Sequence, residues 1–343
     1  MTESSPTFPI FKLPILAIEC ILHVSDIHDL IVFSKASKTC HRLVLSLRKS
    51  ITKMNMDIIN SNHTHIKFYK HENDKVEVGF WQFSNTPGEE TMIVPLEDGG
   101  VLNYPQLAEA NASRLPVENG LGHLKELFKL PIKTSFVRYE EVPKELFSLL
   151  TEPSEILMII GKKTISNELL SDLLKNSNAE LAVLIPYCKK DFRFNREQSK
   201  CLHVIMFQNT PRITFNSILT SNLSTVTLKS NVLNLQDCCS FVQDWLNSDN
   251  TKLEAMMHYL ERKPILQNEF ESLEMVPWCN SRRSRYFVYP GHSALDCEKA
   301  FDIRRKDGLW ASILYLGHFF FFGVWHTSFH NVDGIKVFRK FKD

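Results

Sequence analysis

Along residues 14–24 the apolar positions Ile18, Ile21 and Leu22 recur at the i, i+3, i+4 spacing of one helical face, and Pro14 stands where a first helical turn needs no N–H. The spacing predicts a helix over 14–24. The short polar residues of 25–29 compete for backbone hydrogen bonds and predict a turn, after which Leu30, Ile31 and Phe33 resume the pattern in a second helix. Ser37 is placed to cap a third helix carrying Cys40, Leu43, Val44 and Leu47. Three short helices within residues 8–50 hold too little apolar volume for a good private core, so such a unit is expected to pack on something else.

Farther on, residues 65–70 and 76–83 alternate and are rich in β-formers, with His71, Glu72, Asn73 and Asp74 between them, which predicts a β-hairpin. Residues 85–116 are rich in Pro, Gly and acidic side chains and read as a boundary, closing a 51–116 segment of hairpin and linker. A short helix follows near Leu121, Leu124, Leu127 and Phe128. From there to 260 the chain repeats itself weakly: apolar β-like runs begin at 156, 181, 202, 223 and 253, in steps of 25, 21, 21 and 30. Helix signals lie between several of them. Ser166 is placed to cap Leu169, Leu170, Leu173 and Leu174, and Asn234, with Asp237 three on, to cap Leu235 through Trp245. Strand plus helix at this period reads as a degenerate leucine-rich-repeat-like solenoid over 117–260, although the usual L-x-x-L-x-L-x-x-N framework is absent; an ordinary α/β sheet is the alternative. The last segment is β-rich: 301–305, a Lys306, Asp307, Gly308 turn and 309–316 predict a hairpin, and 319–326 a third strand buried on both faces. The fold class expected is α+β.

Composition changes little in this picture. The 343 residues suggest two or three domains, and 43% hydrophobic with 23% charged residues is ordinary for a globular chain. The net charge of +1 offers no bulk attraction for nucleic acid or an anionic membrane, so partners must be read from local surfaces. Eight scattered cysteines without a C-x-x-C suggest reduced thiols in a cytoplasmic or nuclear protein, with no metal and no cofactor expected. Neither a secretory leader nor a membrane-spanning run is expected, since the apolar stretch at 8–24 is broken by Lys12, two prolines and Glu19.

For catalysis, the strongest candidate is Gly291, His292, Ser293, Ala294 and Leu295, which approaches the G-x-S-x-G nucleophile elbow. Leu295 takes the place of the second Gly, whose missing side chain relieves that strained turn, and Pro290 stiffens the approach. Asp302 or Asp307 with His318 or His326 would supply a triad in a permissible order, as any chain with thirteen histidines would. No enzyme is expected. Arg282, Arg283 and Arg285 beside Tyr286 and Tyr289, with Arg304 and Arg305 beside Trp310, present guanidinium forks and aromatics suited to gripping a partner, or else a solvated loop and hairpin face.

Leu13 and Pro14, Ile18, Ile21 and Leu22, Asp29 and Leu30, Ser37 and Lys38, and Arg42, Leu43 and Val44 lie in an order and spacing that resembles the F-box, the motif by which substrate receptors dock on the Skp adaptor of cullin-based ubiquitin ligases. The sequence departs from the usual pattern at Leu16, where Glu is common, and at 23–25. The capped helix ending at Trp245 and Leu246, the closing Asp302, Ile303, Arg304, Arg305, Asp307 and Gly308, and the pair Val324 and Trp325 extend the likeness to the nematode F-box proteins with a C-terminal F-box-associated domain of type 2, here at 234–343. The resemblance implies a substrate receptor whose residues 8–50 bind the Skp adaptor through Leu13, Pro14, Ile18, Ile21, Leu22, Leu30, Leu43 and Val44, in company with a cullin. Its C-terminal body would hold a target protein, for which Arg282, Arg283, Arg285, Arg304, Arg305 and Trp310 are the candidates. The competing expectation is a repeat scaffold whose helices pack on their own chain and recruit no ligase. Exposure of Ile18, Leu22 and Leu30 separates the two.

Overall fold

The structure, a computed structural model, describes residues 10–47, 51–60, 63–70, 76–84, 90–95, 101–105, 116–185, 187–188, 201–206, 218–221, 223–229, 234–260, 270, 273–289, 293–316, 318–327 and 336–338. The chain is α+β and divides into two compact units, Met1–Val137 with Glu141–Leu149, and Arg138–Glu140 with Leu150–Asp343.

In the first unit a 3-10 turn, Ile10–Lys12, leads into α1 (Ile15–Val24), α2 (Ile27–Ala36) and α3 (Lys38–Ser46). The Ser37 hydroxyl accepts from the Cys40 N–H at 3.1 Å and starts α3, as its place in the sequence requires. Strands β1 (Ile51–Ile58), β2 (His63–Lys70), β3 (Val76–Ser84), β4 (Glu90–Pro95) and β5 (Val101–Pro105) follow, then α4 (Pro116–Phe128) and β6 (Ile132–Arg138). The order β6-β1-β2-β3-β4-β5 is antiparallel except where β1 runs parallel to β6. The predicted hairpin is β2–β3, with Ile66 opposite Trp81. Residues 85–116 differ from expectation. They contain β4 and β5, because two short β-forming runs pair there, β4 with β3 and β5 with β4, and the division between units falls near 138–150. Helix α4 buries Leu121, Leu124 and Leu127 and comes so close to β3 that a Cβ on Gly120 would stand 2.0 Å from the Phe83 ring.

The second unit opens with β7 (Ser154–Ile160), β8 (Thr164–Ile165), α5 (Asn167–Asn176), β9 (Leu181–Leu184), β10 (Tyr187–Cys188), β11 (His203–Met206), β12 (Thr225–Leu228), α6 (Leu235–Asn247) and β13 (Ala255–Tyr259). Strands β7, β9, β11, β12 and β13 are parallel, each beside the next, with Ile156, Leu181, His203, Thr225 and Ala255 in register. One device recurs ahead of three successive strands. The carbonyl of Glu180 accepts from Leu202 and His203, that of Leu202 from Ser224 and Thr225, and that of Ser224 from Glu254 and Ala255, at 2.7–3.1 Å. Two residues before the strand a small or apolar side chain, Ala179, Cys201, Leu223 or Leu253, is buried each time. The weak period of the sequence is therefore a structural period: each step lays one strand beside the last and plugs the same layer.

The rest of this unit is antiparallel. Strands β14 (Val276–Pro277), β15 (Tyr286–Tyr289), β16 (Ser293–Asp296), β17 (Phe301–Arg304), β18 (Trp310–Leu316), β19 (Phe319–Trp325) and β20 (Lys336–Phe338) complete it, and β13 continues into β19-β18-β17-β14. The β17–β18 turn has Gly308 at φ +94°, the conformation that an Asp-Gly turn supplies most easily. β19 is buried on both faces: Phe322 meets Phe241 and Trp245 of α6 at 5.2 and 5.1 Å, while Phe321 meets Phe287 of the separate β15-β16-β20 sheet at 5.3 Å.

Candidate functional site

Helix α1 is apolar almost all round, so it has more hydrophobic surface than one interior can take. Ile18 and Leu22, an i, i+4 pair, point into the helical unit and are 4% and 3% exposed; Leu30 of α2 is 0% exposed and Val44 of α3 is also buried. These four residues were expected on the docking face and are instead interior. Three helices this short close their own core with whichever apolar residues recur on a common side, and the i, i+4 pair does so best. Leu13 and Leu43 are half-buried. The exposed members of the expected set are Pro14 and Ile21, and beside them in the chain stand Phe11, Ile15, Leu16 at 71% and Val24 at 84%, with Val32 on α2. The surface that the unit leaves open is thus the far side of α1. Leu16, where the F-box pattern usually has Glu, is its second most open member.

Helices α2 and α3 are held to α4 by polar contacts that no spacing in the sequence announces. His123 of α4 bonds the Ser34 hydroxyl at 2.9 Å, and His41 meets Glu126 at 3.2 Å. Burial, with Lys35 and His41 nearby, pushes the His123 imidazole down to about 4. His28 is buried with neither ring nitrogen partnered among the described residues, and desolvation lowers its pKa as well.

The arginine candidates resolve differently from expectation. Arg283 is buried, with Nε and Nη2 donating to Asp302 Oδ1 at 2.8 and 2.7 Å, Nη1 to the Ser284 carbonyl and Nη2 to that of Cys297, and with its plane 4.6 Å from the Trp325 ring. Arg282 donates to Asp302 Oδ2 at 2.9 Å and lies over Trp310, and the Ser312 hydroxyl donates to Asp302 Oδ1 while accepting from Trp325 Nε1. Arg305 is buried against Trp245, paired with Asp307, and donates to the Asn250 carbonyl at 2.8 Å. Arg285 pairs with Asp296 and Glu298 at the surface. Arg283 and Arg305 therefore build the unit and are withdrawn as target contacts, because a guanidinium buried beside its carboxylate is out of a partner's reach. Arg304, exposed over the half-buried Trp310, stays accessible.

The residues that would complete a hydrolase triad are engaged elsewhere. Asp302 and Asp307 hold arginines, His318 Nδ1 meets the Leu260 carbonyl at 3.2 Å, and His326 Nε2 meets that of Leu253 at 2.9 Å. Ser293 begins β16 opposite Tyr289, while Gly291 and His292 lie outside the described residues. Among the described residues no helix is long and apolar enough to cross a membrane.

Two cavities of about 530 Å³ each adjoin in the second unit and share Thr251 and Lys252. One is polar, between the C-terminal end of α6 and 219–221. The other has Leu202, Phe287, Val288 and Val324 among its lining residues.

The α+β chain thus has an open apolar helical face in one unit and paired surface cavities in the other. Residues 193–257 match the F-box associated family, a stretch that takes in β11 to β13 and α6 and begins well before the 234 expected from sequence. The chain is similar to an uncharacterised protein of Caenorhabditis elegans, 24% identical over 352 residues that cover 95% of this chain and 79% of that one. Together these make the chain similar to a nematode protein over most of its length and to the F-box associated family over 193–257. No solved structure matches it.

Proposed function

We infer that the protein is a substrate receptor of a Skp–cullin–F-box ubiquitin ligase. The observation that carries this is the open apolar side of α1 in a three-helix unit, ahead of an F-box-associated domain in the same chain. In this reading the helices are an F-box that docks on the Skp adaptor, and the parallel-strand body is a degenerate leucine-rich-repeat-like solenoid that presents a target. The receptor performs no chemistry and works in the cytoplasm or nucleus. Holding a target lysine near a charged ubiquitin carrier raises its effective concentration, which requires placement rather than catalytic side chains.

Burial of Ile18, Leu22 and Leu30 favours a second reading, a scaffold that recruits no ligase, because it removes three of the expected docking residues from the surface. The two readings separate on residues that are exposed and so safe to change. Leu16→Asp with Val24→Asp should leave the fold intact and weaken capture of purified Skp adaptor by about 1–3 kcal/mol, as loss of interface anchors does. Adaptor and cullin that fail to co-purify with the wild-type chain, or capture indifferent to the double substitution, would decide for the scaffold.

A further inference from the structure

We propose that the surface on either side of Thr251 and Lys252 binds a short segment of the target protein carrying a bulky apolar side chain and, close beside it, a Lys or Arg. This deepens the receptor reading and rests on it only for the word target; the site itself stands on its own geometry. The cavity lined by Leu202, Val288 and Val324 is rimmed by the hydroxyls of Ser224 and Thr251, the composition that accepts one apolar group and orients the backbone beside it. Leu202 is 45% exposed, although it immediately precedes a strand of the sheet.

Across Thr251 and Lys252 the second cavity has the opposite character. Asp244 and Asp249 line it, and Glu254 lies on the apolar side; none of the three is in an ion pair among the described residues. Asp244 sits in the last turn of α6, and the end of that thirteen-residue helix adds partial negative charge from its unpaired carbonyls. Against three carboxylates and a helix terminus, the described lining residues of the two cavities offer one ammonium, Lys252, and the imidazole of His326, which is engaged with the Leu253 carbonyl, so the surface favours a cationic guest.

The ridge between the cavities is held from below. Asn250, itself buried, donates Nδ2 to the Leu219 carbonyl at 2.6 Å and accepts on Oδ1 from the N–H groups of Lys252 and Leu253 at 3.0 and 2.8 Å. The buried Arg305 grips the Asn250 carbonyl from the hairpin side. Arg305, expected from sequence to touch the target, is thus a positioning residue for the surface that does. A backbone fixed in this way loses little freedom on binding, which leaves more of the contact energy as affinity.

The probes are fluorescein-labelled short peptides with Leu or Phe at the centre and Arg, Ala or Asp two residues away, titrated against the full-length chain by fluorescence anisotropy. The Arg peptides should bind about tenfold more tightly than the Ala peptides. Asp244→Lys with Asp249→Lys, both at exposed positions, should abolish that preference and transfer it to the Asp peptides, and Leu202→Asp should weaken every peptide. Equal binding of Arg, Ala and Asp peptides, or a preference untouched by the charge swap, overturns the site. Adaptor capture is scored separately on the same proteins and should not change. Capture without peptide preference would remove this site and leave the receptor reading, while peptide preference without capture would do the reverse.

Discussion

At the scale of single residues, Asp302 shows why arginines that look like a partner's grip belong to the interior. Its buried carboxylate accepts from Arg282, Arg283 and Ser312, and Ser312 in turn accepts from Trp325. Truncating it strands the Arg283 charge where water cannot reach, and breaking one side of such a pair typically costs about 3–5 kcal/mol. Asp302→Ala should therefore lower the unfolding free energy of the second unit, read from urea denaturation, by an amount of that order. Arg283→Met with Asp302→Leu should recover most of the loss, because two apolar groups leave no charge fully buried, and the partly exposed Arg282 keeps the Pro277 carbonyl and water. A loss below about 1 kcal/mol in the single variant, read from tryptophan fluorescence, would mean that Asp302 is no hub. None of this was legible in the sequence. Composition marks Arg282, Arg283 and Arg285 as a basic run, but the acid that neutralises the first two is nineteen or twenty residues away and comes near only when β17 forms. Gly308 was legible, because a turn's need for positive φ is local.

At the scale of elements, local rules were strong guides wherever the partner lay within a few residues. Asn234 and Asp237 form the reciprocal box their spacing suggests, Asn234 Oδ1 accepting from the Asp237 N–H at 3.0 Å and Asp237 Oδ2 from the Asn234 N–H at 2.8 Å. Helix α6 carries Trp245 and Phe241 onto β19, so its start matters to the core. Asn234→Ala should cost about 1 kcal/mol, while Asn234→Ser, which keeps an acceptor, should cost much less. Equal denaturation midpoints for the wild type and the Ala variant would show that the box contributes nothing. The period of the parallel strands was likewise visible, since each strand places its own apolar run, whereas β4 and β5 were read as linker. The prolines and glycines of 85–116 resemble a boundary, and only the pairing of β4 with β3 and of β5 with β4 shows strands there. On α1 the helical periodicity was right and the choice of face was not. A helix apolar on most sides gives no hint which stripe its neighbours will take, so Ile18 and Leu22 went inside and Leu16 and Val24 stayed out.

At the scale of the whole molecule, histidines withdrawn from water make stability sensitive to acid, and three of them lie in the first unit. There burial lowers the pKa of His28, His65 and His123, the last to about 4, and in the second unit it lowers that of His203. Unfolded, each imidazole takes up its proton near the ordinary 6.5, so over the window from there down towards 4 the unfolded first unit binds more protons than the folded one. The stability these residues contribute is complete above that window and is lost as the pH falls through it. Calorimetric scans at pH 7.5, 6.5 and 5.5 should show the transition of the first unit moving down as the pH falls. His123→Gln, which can still bond Ser34 and carries no titratable ring, should reduce the slope of that transition. A first-unit transition that stays where it was, or an unchanged slope in the variant, would refute the assignment. The first unit also carries the α1 face on which the receptor reading would dock the adaptor, and a partner that binds the folded form alone stabilises it by mass action. Excess Skp adaptor added at pH 5.5, provided it remains folded there, should accordingly raise the transition of the first unit and leave the other where it was. An adaptor that raises neither transition would speak against docking on α1, and one that raises the other transition instead would place docking on the second unit.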